Sequence, residues 1–530
     1  MKTELLYASL IFVLACGPAS NHSESLSGPS SSDDINSLDR TPGDQESPRA
    51  PTPPVRPAPE SGNPTGPRVN PNAPPTSILS KPYFDEPDLG GTLDVPDGTG
   101  NLPVVGELPG MTQFRARYAR VRGNPGLIEV TLNNTGSGWV EKFLLYTPVL
   151  TISHRAPLLV VFHRFGVSHW DAYYWTDYIE QARQRGWFVV APLGATHASF
   201  GSLESQINIE AALRFTADNF NVDRRRVYGV GFSMGGGDVT SYAARHLDPS
   251  GLMFAAIVNH TGGVSLANTW ANEWDDNDGD DGIPNPLSHL EVPDLLEYWY
   301  GGPPSANYFN YQRSSTIDLD PTTETVGLGT DMSRNLAHIP VRNWMASSDP
   351  MVYLRSQTLA FDTHVQLQNP GNQFTTVPAT IHKWSTLDFA ATCDWLSQFT
   401  LQVPMASSTL ADQDGKYFHF EVDQDVSGAF TPFSWIIDPI TNRIVLYATG
   451  NLDRVSIDAT AAGLAYSGAL KLNVNTADGT GDEIRFVNVP QAPVSVTRDG
   501  LPATGTWDPL ANTFVVTEST NTTHMWRLNF

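Results

Sequence analysis

Ser233 stands in Gly231-Phe232-Ser233-Met234-Gly235, followed by two more glycines, Gly236 and Gly237. A serine hydroxyl becomes a useful nucleophile only when a histidine takes its proton, and that histidine needs a carboxylate to fix its tautomer. Downstream, Ser347-Ser348-Asp349-Pro350 and Ile381-His382-Lys383-Trp384 supply Asp349 and then His382. Each alone has an ordinary explanation: Asp349 as a turn residue before proline, and His382 as one loop histidine among 13. The ordered set, each member on a loop after a predicted strand, points to acyl transfer through a covalent intermediate. His338, His364, Asp362 and Asp388 are the nearest competitors, and none is placed as well. An oxyanion needs backbone donors, here the amide of Met234 and one from the loop His163-Arg164-Phe165-Gly166.

These residues need a scaffold. Arg226-Val227-Tyr228-Gly229-Val230 reads as a buried strand before the serine, and the alanine-rich Asp238 to His246 as a helix after it. Flanking glycines let such a turn take strained dihedrals and expose the hydroxyl at the top of a sheet. Upstream, 127–132 and 141–146 read as a strand pair, and 157–163 (PLLVVFH) as a strand buried on both faces. A helix over 175–185, a strand over 186–192 and a helical face through Ile209, Ala212, Leu213, Thr216 and Phe220 follow. Strands over 254–258 and 339–346 and a last helix marked by Leu387, Ala391, Trp395 and Phe399 complete the pattern. Such alternation predicts an α/β fold, a mainly parallel sheet with helices on both faces. Residues 264–335 interrupt it with an aromatic and acidic insertion. After Val403, short strand-like runs over 416–421, 434–437, 443–448, 454–458, 483–489, 494–497 and 514–517 predict a C-terminal all-β, sandwich-like domain.

The chain has 530 residues, enough for two or three domains. Its net charge of -24, from 32 basic and 56 acidic residues, argues against nucleic acid or an anionic membrane surface as partner. Lys2 and the apolar run Leu5 to Ala15 have the shape of an export signal, too short to span a bilayer. Val13-Leu14-Ala15-Cys16 resembles a lipobox, so residues 1–16 predict an exported chain held to the membrane only through lipid on Cys16; the alternative is an ordinary cleaved signal. Once Cys16 is used, Cys393 is the second and last of the two cysteines, and no intramolecular disulfide is available. Residues 17–110 are rich in Pro, Ser and Gly and read as a disordered linker. The catalytic domain is then expected over 111–402 and the β-domain over 403–530.

The stretches LLVVFHRFG, NVDRRRVYGVGFSMGGG, ASSDPMV and His382 with Trp384 two residues on resemble the α/β-hydrolase superfamily. Within it they are similar to secreted esterases of the polyhydroxyalkanoate depolymerase and feruloyl esterase type. The resemblance covers 157–399 and implies an α/β-hydrolase fold, a serine esterase activity that requires no cofactor, and a small-molecule or polymeric ester substrate. It also implies the Phe165 amide as second oxyanion donor. Arg164 departs from the glycine usual after that histidine. Arg164, His169, Trp170 and Trp384, with the insertion's Trp270, Trp274, Tyr298, Trp299, Tyr300, Tyr308 and Tyr311, are candidates for a substrate cleft; packing of the insertion onto the core is the plainer use of the latter. The run Asp275 to Gly282 alternates oxygen ligands and resembles a calcium loop through Asp276, Asp278 and Asp280, with a solvated acidic loop as the alternative. The triad does not separate ester from amide cleavage, so a serine peptidase stays open. A surface-binding lipoprotein that has lost activity also stays open, because of Arg164.

Overall fold

A computed structural model of the chain describes residues 115–121, 124, 126–148, 155–274, 292–448, 450–476 and 481–530. The N-terminal segment, the linker and the acidic run carrying Asp276, Asp278 and Asp280 lie outside the described residues. Among the described residues no helix is long and apolar enough to cross a membrane.

In chain order the first part of the described chain runs β1 (Arg115–Arg120), β2 (Leu127–Asn133), β3 (Glu141–Tyr146), β4 (Ala156–Phe162), α1 (Asp171–Tyr174), α2 (Tyr178–Arg185), β5 (Phe188–Pro192) and α3 (Leu203–Asn219). It continues with β6 (Val222–Phe232), α4 (Met234–Arg245), β7 (Ala256–His260), α5 (Leu266–Trp274), α6 (Val292–Tyr300) and α7 (Pro304–Ser314). Last come β8 (Val341–Ala346), α8 (Val352–Val365), β9 (Gln373–Val377) and α9 (Phe389–Leu396). The nine strands hydrogen-bond in the order β1-β2-β3-β5-β4-β6-β7-β8-β9. From β5 to β9 neighbours are parallel, whereas β1 to β3 form an antiparallel flank. Helices cover both faces, as the α/β-hydrolase fold requires. The helix expected over 175–185 starts at Tyr178, because the backbone bends at 175 and 177 between it and α1.

Alternation explains why β4 is apolar at every position. Leu158, Val160 and Phe162 pack with Ile209 and Leu213 of α3 and Val239 of α4, while Leu159 and Val161 pack with Tyr178 of α2 and Trp395 of α9. Burying each such side chain is worth about 1.5–3 kcal/mol, so an unbroken apolar strand is stable only between two helical layers.

Residues 406–529 form a seven-stranded and a six-stranded sheet with their own core around Phe420, Trp435, Leu446, Ile484 and Val516. Thr431–Asp438 alternates strictly between buried and half-buried positions, as a sandwich strand should. This core also takes in Leu247 and Met253 from the segment after α4. Leu410 N and O pair with the Asn335 side chain at 2.8 and 2.9 Å.

Candidate active site

The end of β6 delivers Ser233. Its φ of 59° and ψ of -123° are strained for a side chain other than glycine's, and α4 begins at the next residue. Neighbouring backbone makes the turn possible. A Cβ on Gly231 would stand 1.9 Å from Gly235 O, and one on Gly235 would stand 2.4 Å from Phe162 O. Ser233 N donates to His260 O at 3.0 Å, and Ser233 O accepts from Gly263 N at 3.1 Å. The backbone is thus held from both sides, and the serine is half-buried.

The structure brings Asp349 and His382 together. Asp349 follows β8 and is 2% exposed; its carboxylate accepts from His382 Nδ1 at 2.9 and 3.0 Å and from Met351 N at 3.0 Å. An ionised carboxylate only accepts, so the His382 proton belongs on Nδ1 and Nε2 is left as the basic nitrogen. Phe232, next to the serine, lies between two imidazoles, with His260 at 4.3 Å and His382 at 4.4 Å between ring centroids. His382 Nε2 has no hydrogen-bond partner among the described residues. The serine–histidine bond is therefore open here; such bonds often tighten only with substrate bound. His260 donates or accepts at Thr386 Oγ1, 2.7 Å away. Burial, and then the nearby His382, hold its pKa well below the ordinary histidine value, so it stays neutral beside His382.

The competing residues are engaged elsewhere. Asp388 caps α9 through Ala391 N, Asp362 accepts from Asn343 Nδ2, His338 Nδ1 contacts Asn335 O and His364 pairs with Asp331.

Met234 is the first residue of α4, so its amide belongs to the helix N-terminus, where partial positive charge favours an anion. The second expected donor, Phe165, lies in a braced loop. His163 contacts Arg164 O at 2.7 Å and Leu193 O at 3.0 Å, and Gly166 N donates to His197 O at 2.9 Å. The Phe165 ring packs 5.4 Å from Phe200.

The structure ties the expected cleft residues Arg164, His169, Trp170 and Trp384 to two acidic side chains. Arg164 turns its guanidinium onto buried Asp171, with Nη2 to Oδ1 at 2.6 Å, and lies over Trp175. Trp384 is 2% exposed and donates from Nε1 to the same carboxylate at 2.8 Å. His169 is buried, and it and half-buried Trp170 both contact Glu129 Oε1, at 2.7 and 3.1 Å. Polar atoms this deep need partners, and these side chains spend theirs on one another. Asp171 and Glu129 were not legible from the sequence, since Trp384 lies 213 residues from the first, and His169 and Trp170 lie 40 and 41 residues from the second.

The insertion packs beside Met234, the residue after Ser233. Leu295, Leu296, Tyr300 and Tyr311 share a buried cluster with Met234, against which Phe165, Trp139, Trp270, Tyr298 and Trp299 rest. Trp299 Nε1 donates to Ala198 O at 2.7 Å, and Tyr300 OH donates to Phe200 O. Tyr308 lies on α7 and hydrogen-bonds Asp318. Among the described residues no group of three or more His, Cys, Asp or Glu could hold a metal ion.

Neither a family model nor a curated protein matches the sequence. Among solved structures, an S-formylglutathione hydrolase from Staphylococcus aureus is similar at 15% identity over 51% of this chain and 98% of its own, with a TM-score of 0.37. One from Agrobacterium tumefaciens is similar at 12% over 52% and 97%, TM-score 0.37. A ferulic acid esterase is similar at 14% over 53% and 97%, TM-score 0.35. Likenesses this distant decide nothing about the reaction, which has to be argued from the site.

Proposed function

We propose that the chain is a serine ester hydrolase. Ser233 attacks the ester carbonyl as His382 Nε2 takes its proton, and Asp349 holds the resulting imidazolium. The Met234 and Phe165 amides receive the oxyanion. His382 returns the proton to the leaving alcohol, and water then releases the acyl group from Ser233 by the same steps in reverse order of roles. The observation that carries this reading is the buried Asp349 carboxylate on His382 Nδ1, one aromatic ring away from a serine held at positive φ. The reading extends to an exported, lipid-anchored chain acting on a polymeric or small ester, as residues 1–16 and the aromatic insertion suggest. Side-by-side hydrolysis of a short-chain p-nitrophenyl ester by wild type and Ser233→Ala tests it. Loss of turnover to near background in the variant is expected. Equal turnover in both proteins would move the nucleophile elsewhere, and none in either would favour a binding protein.

A further inference from the structure

We propose that Asp171 is a positioning residue for the reaction above, on which this inference rests: its carboxylate ties the loop carrying one oxyanion donor to the loop carrying the base. The Asp171 side chain is 0% exposed and collects donors from two distant segments. Arg164 gives it a main-chain N–H at 3.1 Å, Nε at 3.1 Å and Nη2 at 2.6 Å. Trp384 gives it Nε1–H at 2.8 Å. A buried ion pair alone could be read as scaffold, and its net contribution to stability is small. Two features go further.

The main-chain bond acts one peptide unit before the donor's, on the N–H of Arg164. Arg164 N is held by Asp171, Arg164 O lies 2.7 Å from His163 Nδ1, and Gly166 N is held by His197 O. Phe165 follows directly on Arg164, so the grip of Asp171 on the Arg164 N–H and guanidinium limits how that stretch of loop can move. Trp175 covers the outer face of the guanidinium at 5.6 Å and leaves the arginine little room to swing away.

The second feature is Trp384, two residues beyond His382. Its ring lies 5.3 Å from Phe232, and Phe232 lies 4.4 Å from the His382 ring. Fixing Nε1 on Asp171 therefore fixes the wall against which the base rests. One carboxylate sets donor and base relative to each other, and catalysis is steep in that geometry, about 10²-fold for a misplacement on the order of 1 Å.

The test compares wild type, Asp171→Asn, Trp384→Phe, the double variant and Ser233→Ala on one p-nitrophenyl ester, with kcat and KM measured separately. Asparagine keeps the size and loses the charge; phenylalanine keeps an aromatic ring and loses the N–H. Asp171→Asn should lower kcat about 10²-fold with KM within about threefold, because the groups that move act in the transition state. Trp384→Phe should lower kcat with KM unchanged, and the double variant should be no worse than Asp171→Asn, since both break one junction. Folded Asp171→Asn with kcat within about twofold of wild type would overturn the proposal. Should Asp171→Asn not fold, Trp384→Phe decides: a kcat loss at constant KM upholds it, and wild-type kcat overturns it. Activity retained in Ser233→Ala would instead sink the hydrolase reading.

Discussion

Replacing Asp412 by alanine removes a carboxylate on which two arginines from distant parts of the chain converge. Arg245 ends α4, the helix behind Ser233, Arg313 sits in the last turn of α7, and Asp412 follows the first strand of the C-terminal sheets. The three side chains are 6%, 11% and 1% exposed. Asp412 Oδ2 accepts from Arg245 Nη2 and Arg313 Nη2, both at 2.8 Å, and Tyr417 OH adds a bond to Oδ1 at 3.2 Å. Removing one partner of a buried pair costs about 3–5 kcal/mol, because the remaining charge is left without compensation. Here two guanidinia are stranded, although Arg313 keeps Gln413 Oε1 at 2.8 Å, so about 4 kcal/mol is expected. Urea unfolding followed by tryptophan fluorescence reads this as a midpoint shift of roughly 1–2 M, at a slope of about 3 kcal/mol/M. Burial alone would raise the Asp412 pKa, but the two guanidinia outweigh it and hold it below the ordinary value. Its contribution is therefore present above about pH 4 and is lost as pH falls through the depressed folded value, so the two proteins' midpoints should converge in acid. A midpoint within about 0.3 M of wild type at pH 7, less than about 1 kcal/mol, would refute the reasoning.

Asp349→Asn should keep the fold and lower kcat about 10⁴-fold, since an amide no longer demands the Nδ1 tautomer of His382; near-UV circular dichroism and steady-state kinetics check both halves. Gly235→Ala should yield no folded, active protein, because its Cβ would meet Phe162 O at 2.4 Å and His163 O at 2.6 Å. Soluble, active Gly235→Ala would mean that the elbow is looser than described.

The parts of the fold legible in the sequence are those whose pattern is local. Glu141–Tyr146 and Arg443–Ala448 have the expected bounds because apolar, β-branched and aromatic residues crowd them between clear turn residues. Asp349 and His382 could be picked out because a Ser–Asp–His order with strand-to-loop placement is itself a pattern. Other elements carried weaker signals. Gln373–Val377 is a half-exposed edge strand rich in Gln and Thr, and α8 mixes polar and apolar residues with little amphipathic contrast. The run 416–421 is in fact the two arms of a hairpin, turned at Phe418 with φ of 58° and no Gly or Pro to announce it. Ala469–Asn475 alternates Leu470, Leu472 and Val474 inward and could have been found by that period alone. The Asp171 junction gave no local sign, since Trp384 lies 213 residues away from it.

The most direct measurement is intact-protein and peptide mass spectrometry after incubation with a fluorophosphonate, in wild type, Ser233→Ala and His382→Ala. The account predicts one adduct on the Ser233 peptide of wild type, none in Ser233→Ala and greatly slowed labelling in His382→Ala. An adduct on another serine, or ester hydrolysis by a protein that Ser233 labelling leaves fully active, would contradict it.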